Sequence, residues 1–262
     1  MSDKQPRSTG SFLLVAILSV LACRSIEAQG GPPMITDDPA TVGNGNWEIN
    51  LLPTMERTRS GTRYETPNVD INYGLGNRLQ LRFEVPWVVQ TERGSTARSG
   101  LGNSGVGVRF RFIDEARHGF SMSTYPALEF NNPTNSVKRG LADEGHRFFL
   151  PVEIAREING TVVNAEVGYL FDQYGENSWE YGLVVGRDVS EHVELLGEVH
   201  GSTPRDLSER EVVFNIGSRV GMTEHVTLLV SGGRSIRNPA DGPVTIAALG
   251  LQLNFGNGHE ER

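Results

Sequence analysis

"GLGNRLQLRFEVPW", Gly74 to Trp87, decides the fold. Leu79, Leu81, Phe83, Val85 and Trp87 fall on every second residue, with Gln80, Arg82 and Glu84 between them. A period of two marks a β-strand whose side chains alternate across a sheet, here with one apolar and one charged face. A soluble sandwich would hide the apolar face between two sheets and expose the charges. A transmembrane barrel would turn the apolar face to lipid and gather the charges around a watery lumen.

The pattern recurs. "GLGNRLQL" at Gly74, "RDVSEHVELL" at Arg187 and "GMTEHVTLL" at Gly221 each join a tight turn to an alternating strand, as a repeated hairpin unit would. Between Asn46 and Phe255 the period predicts about twelve strands of a length that crosses a bilayer at a tilt. An even number returns both ends of the barrel to one side. Short turns at "GLGNR", "DEARHG", "REING", "GRDVSEH" and "GMTEH" alternate with long polar loops at "TERGSTARSGLGNS", "NNPTNSVKRGLADEGH" and "RSIRNPADG". Outer-membrane barrels sort their connections this way, with the short side periplasmic.

One face of these strands is apolar throughout, from Trp47, Ile49 and Leu51 to Leu249, Leu251, Leu253 and Phe255. Trp47, Tyr73, Trp87, Trp179, Tyr181 and Phe255 lie near strand ends, where amphipathic rings form the girdles of a membrane barrel. The other face carries the charges. Its expected lumen-lining set is Arg82, Glu84, Arg109, Arg111, Glu129, Glu153, Glu166, Glu180, Glu194, Glu198, Glu211 and Arg219. Arg82 and Glu84 are expected to face Arg109 and Arg111 on the next strand. Two outcomes are open for the set: a basic strip opposite acidic strands that orders dipolar solutes, or mutual neutralisation that braces the wall.

The first residues read as export machinery. Lys4 and Arg7 precede the apolar run "SFLLVAILSVLA", too short to span a bilayer, and "SIEAQG" follows, so residues 1–28 are expected to be a signal peptide cut after Ala28. The lone cysteine, Cys23, leaves a lipoprotein reading as the alternative; ordinary cleavage leaves no cysteine for disulfides or thiolate chemistry. The formal net charge of −8 over 262 residues argues against a nucleic-acid binder. The chain divides into the signal, an N-terminal periplasmic segment (29–45), the barrel (46–255) and a C-terminal tail (256–262).

"TDDPATVGNGNWEIN", "DINYGLGNRLQLRFEVPW" and "GLGNSGVGVRFRF" resemble the outer-membrane proteins grouped as the MetA pathway of phenol degradation family. The resemblance runs from Thr36 to Phe255 and implies a channel-like transporter of the Gram-negative outer membrane for aromatic or other small organic compounds. The final alternation into Phe255 resembles the assembly signal of such barrels, although "GNGHEER" follows it.

The chemistry expected is therefore passage or binding of a small solute, without a covalent step, cofactor or metal; the other partners are outer-membrane lipid and the barrel-assembly machinery. His200 and Ser202 in "EVHGST" raise the alternative of an outer-membrane esterase or phospholipase. That chemistry needs a nucleophile, a base and an orienting group in contact, and the register turns His200 inward. A soluble periplasmic β protein is the other alternative. Asp37 and Asp38 are expected at the periplasmic mouth, as a plug, a cation site, or a turn cap before Pro39.

Overall fold

The computed structural model describes residues 31–207, 211–237 and 242–256. The expected signal peptide with Cys23, and the tail from residue 257 onward, lie outside the described residues.

The chain is a closed antiparallel barrel of twelve crossings. The first crossing is β1 (Trp47–Leu51) continued by β2 (Thr54–Arg57), followed by β3 (Gly61–Leu75) and β4 (Leu79–Glu92). Two further crossings are interrupted: β5 (Arg98–Leu101) with β6 (Asn103–Ile113), and β7 (Ser121–Thr124) with β8 (Ala127–Asn131). Then come β9 (His146–Ile158), β10 (Thr161–Asp172), β11 (Ser178–Ser190), β12 (Val193–Pro204), β13 (Glu211–Gly221), β14 (Val226–Arg237) and β15 (Thr245–Phe255). β1 pairs with β3 on one side and β15 on the other, which closes the wall and leaves no free edge. Closure is what allows strands to stand in hydrocarbon, since every backbone donor and acceptor then finds a neighbour.

The face assignment follows the period. Leu81, Phe83, Val108, Phe110, Leu150, Ile154, Leu183, Phe214 and Leu249 are exposed on the outside, whereas Gln80, Asn50, Asn164, Glu153 and Glu198 are buried within. Such an arrangement is inside-out for a protein in water, and it rules out the sandwich: the apolar face packs against no second sheet. Trp47, Tyr73 and Phe255 meet at the end that carries both barrel termini, Trp47 lying opposite both of the others in register. Its ring stacks at 4.5 Å from that of Tyr73. Trp87, Trp179 and Tyr181 mark the opposite end, where Tyr181 lies over Gly201.

Connections at the terminus-bearing end are short, the longest holding the four-residue helix α1 (Glu115–His118), capped by the Asp114 carboxylate. At the other end the stretch expected as one long loop after Thr91 is mostly strand, because β5 pairs with β4 and leaves only residues 93–97 as loop. The loop 132–145 is long, as expected, and folds inward: Leu141 is fully buried beside Gly100, and Arg98 donates to the Arg139 carbonyl at 2.6 Å. That loop narrows the mouth.

Candidate functional site

The segment expected to be periplasmic, with Asp37 and Asp38 at the mouth, lies deeper: residues 31–42 are held within the lumen. From Gly31 to Val42 the backbone crosses the interior, and the wall holds it by polar groups. Arg219 donates to the Pro32 carbonyl at 2.8 Å and to that of Gly31 at 3.2 Å, and the Ser231 hydroxyl donates to Pro33 at 2.9 Å. The amides of Ile35 and Thr36 donate to the two oxygens of Glu198 at 3.1 and 2.6 Å. Asn164 donates to the Asp37 carbonyl at 2.6 Å, Arg109 to that of Ala40 at 2.9 Å, and the Val42 amide to Gln80 at 3.0 Å. Irregular backbone at membrane depth is tolerated where protein lines it, and the prolines at 32, 33 and 39 bring no amide hydrogens that would need partners.

The wall makes room for this plug with glycine. A Cβ at Gly182 would overlap the Thr36 hydroxyl, and one at Gly217 would overlap the Met34 methyl. Both glycines sit on the inward face of strands that otherwise carry large polar groups. On sequence they read as ordinary strand glycines; the missed signal was their position on the lumen side opposite a Gly/Pro-rich leader.

Asp37 is the electrostatic centre. Its carboxylate pairs with Arg109 and, at 3.2 Å, with Arg82. Burial favours its neutral form and pushes its pKa up, but Arg109 and Arg82 more than offset this and hold the carboxyl below its ordinary range. Asp38, which accepts the Ala40 amide at 2.6 Å in a turn, goes the other way: burial, with Asp37 alongside, raises it to about 7 despite Arg109. Of the three sequence readings for "TDDP", Asp38 is the turn cap and Asp37 belongs to the plug. Among the described residues no cluster has the donors to hold a metal ion.

The expected inward residues resolve into neighbouring pairs. Arg82 also bonds Asp70 at 2.7 Å and Glu84 at 3.2 Å; Arg109 approaches Glu153 at 3.6 Å; Arg219 pairs with Glu194 at 3.0 Å; Arg147 pairs with Glu129 at 3.0 Å. Glu166 is buried directly opposite Glu153 in the ladder. Glu211 lies at the far end opposite Ser202. The expected facing of Arg82 and Glu84 with Arg109 and Arg111 is corrected by register: Arg82 lies opposite Gly107 and Glu84 opposite Gly105, while Arg109 faces Gln80. Arg111 is at the rim, bonded to the Asn77 carbonyl at 2.8 Å and near Asp114 at 3.7 Å.

Two contacts were not foreseen. Tyr125, in the break between β7 and β8, is buried with its ring 5.5 Å from the Arg82 guanidinium and 5.2 Å from that of Arg109. It braces both arginines by cation–π contact; the Tyr-Pro pair interrupting a strand was its only trace in the sequence. His200 lies beside Glu180, at 3.7 Å across the ladder, which also accepts from Ser178 at 2.7 Å and Ser202 at 2.9 Å. Ser202 therefore donates to the carboxylate and not to the imidazole, so the esterase arrangement of nucleophile on base is not formed.

Beside the plug a cavity of about 310 Å³ opens towards the wall of β1, β2, β3 and β15. Met34, Ile35, Leu52 and Ile246 supply apolar lining, and Asp70 and Arg82 supply charge. This size is at the small end of ligand-binding cavities.

A closed, twelve-crossing antiparallel barrel with an apolar exterior and a charged interior is the fold of outer-membrane channels. The structure is similar to that of the COG4313 outer membrane channel from Pseudomonas putida F1, with a TM-score of 0.69 and 14% identity over 83% of this chain and 98% of that one. It is also similar to the NanC porin, with a TM-score of 0.59 and 9% identity over 78% and 98%. A third match is the KdgM porin in complex with disordered oligogalacturonate, with a TM-score of 0.56 and 12% identity over 79% and 99%. No protein-family model matches the sequence, and no curated protein matches it.

Proposed function

We propose that this chain is a channel of the bacterial outer membrane that passes small organic solutes, aromatic compounds among them, through a lumen restricted by its own N-terminal segment. The observation that carries the proposal is the plug itself with the cavity beside it: residues 31–42 fill the charged lumen yet leave a part-apolar space of about 310 Å³. The resemblance to the MetA pathway of phenol degradation family supports the choice of solute, as does a lining in which Met34, Ile35, Leu52 and Ile246 would hold a ring while Arg82 offers its donors to a hydroxyl or carboxylate.

In this reading the lumen residues have two tasks. Arg82, Arg109, Glu198 and Arg219 hold the plug, and the groups that line the cavity beside it, such as Glu84, face the solute's path. The barrel reaches its membrane by the signal at residues 1–28 and the assembly machinery. No covalent step is required, and the hydrolase alternative lacks a formed nucleophile–base pair.

The test is single-channel recording in planar bilayers with the mature chain, together with uptake of a phenolic acid, a neutral aromatic and a disaccharide by proteoliposomes. The expected result is low basal conductance and aromatic uptake exceeding disaccharide uptake. Equal uptake of all three, or none after the plug is removed by deletion of residues 31–42, would overturn the reading.

A further inference from the structure

The outward face at the loop-rich end is aromatic in most sectors, with Tyr64, Trp87, Phe148, Phe171 and Trp179 exposed there. One sector differs. In the register, Arg57 on β2 lies opposite Thr245 on β15, which lies opposite Arg234 on β14, which lies opposite Phe214 on β13. Phe214 is exposed on the lipid face, so the whole row points outward, since directly paired residues share a face of the sheet. Arg237 pairs with Val212 on the same face beyond a bulge. Arg59, in the hairpin above, lies over Gly242 in the connection to β15.

Arg57, Arg234 and Arg237 are exposed, and among the described residues none of them forms an ion pair. The row between them offers a threonine, a valine and a phenylalanine, and no carboxylate. By contrast the inward arginines Arg82, Arg109 and Arg219 each pair with a carboxylate. Arg57 and Arg234 flank a single strand, so their Cα atoms are about 10 Å apart, and both guanidinium groups can reach one tetrahedral oxyanion between them. A cation cluster directly above an apolar, lipid-facing band is placed where phosphorylated headgroups lie.

We infer that Arg57, Arg234 and Arg237 form a binding site for the phosphate groups of an outer-leaflet glycolipid. The inference rests on the outer-membrane reading above, which sets this end towards the outer leaflet. Planar guanidinium groups bind phosphate by paired, charge-assisted hydrogen bonds. An apolar wall below them accommodates the acyl chains, so one molecule is held by both ends.

Native mass spectrometry of the detergent-extracted barrel, supplied with bisphosphorylated lipid A, monophosphorylated lipid A, phosphatidylethanolamine or inorganic phosphate, tests this. One bisphosphorylated lipid retained per barrel is expected, with retention lowered about tenfold or more in Arg57→Gln/Arg234→Gln and further with Arg237→Gln. Arg187→Gln, which removes an exposed arginine at the opposite end, should change nothing. Undiminished retention by the triple variant overturns the site. Displacement of the lipid by millimolar inorganic phosphate, or equal retention of phosphatidylethanolamine, overturns the assignment to a phosphorylated lipid. Heat-modifiable migration on gels reports folding in each variant: a wild-type chain that never forms the barrel in detergent defeats the membrane reading, and a folded one that retains no lipid A defeats only this site.

Discussion

Replacing Asp37 by asparagine should loosen the plug without disturbing the wall. In the wild type the carboxylate bonds Arg82 at 3.2 Å and also pairs with Arg109. Breaking a buried pair outright costs about 3–5 kcal/mol because a charge is left alone. Neither arginine is left alone here: Arg82 keeps Asp70 at 2.7 Å and Glu84 at 3.2 Å, and Arg109 keeps Glu153 at 3.6 Å. Asparagine keeps one oxygen that can accept from one arginine, so the loss is nearer to that of a single charge-assisted hydrogen bond, about 2–3 kcal/mol. That corresponds to roughly a 30- to 150-fold rise in the undocked fraction of the segment. Thr36, which is fully buried, supplies the reporter: in a Thr36→Cys background, maleimide labelling of the folded barrel should speed up by that factor in Asp37→Asn, and bilayer recordings should show longer open intervals. A labelling rate within twofold of the parent would refute the assignment of Asp37 as the anchor.

Gly182→Val should expel the segment by sterics alone, since even a Cβ there overlaps the Thr36 hydroxyl; conductance should rise while heat-modifiability persists, and unchanged conductance would contradict the packing. Asp38 gives a pH dependence. Its pKa is raised to about 7 in the docked state against an ordinary 3.8, so docking binds a proton, is favoured at low pH and weakens as pH climbs towards about 7. Asp37, held low, acts oppositely and only in acid, so Thr36→Cys labelling, divided at each pH by the rate of an exposed cysteine to remove the thiol's own titration, should accelerate between about pH 4 and pH 7 and lose that slope in Asp38→Asn. Leu150→Arg, an outward position in mid-strand, should cost about 2–4 kcal/mol of barrel stability in lipid vesicles; a neutral outcome would place that face in water. Tyr125→Leu should raise labelling at Thr36→Cys modestly, by removing the ring that braces Arg82 and Arg109, and an unaltered rate would show that the cation–π contacts are incidental.

The wall was legible because a membrane barrel is a local code. Leu79 to Trp87 alternate since their strand faces lipid on one side and the lumen on the other, and no distant contact is needed to read that. Strand number and the inward burial of Arg109, Glu153, Glu166, Glu194 and Glu198 follow from period and turn chemistry. Register did not follow: Arg82 meets Gly107 and not Arg109, because the pairing of β5 with β4 and the interruption at Gly102, whose amide donates to the Pro86 carbonyl, set the offset by hydrogen bonding that side-chain pattern does not encode.

The interior was decided only by tertiary structure. Residues 31–45 have no periodicity, so nothing local says whether they hang outside or fold within. What places them inside is a set of long-range bonds, from Arg219 to Pro32, Glu198 to Thr36 and Arg109 to Asp37, whose partners are distant in sequence and meet only when the wall has closed. The sequence by itself determined an inside-out cylinder, since each strand records its two environments in alternate residues; whether that cylinder is open depended on closure, which gathers charges from separate strands into one lumen around Asp37.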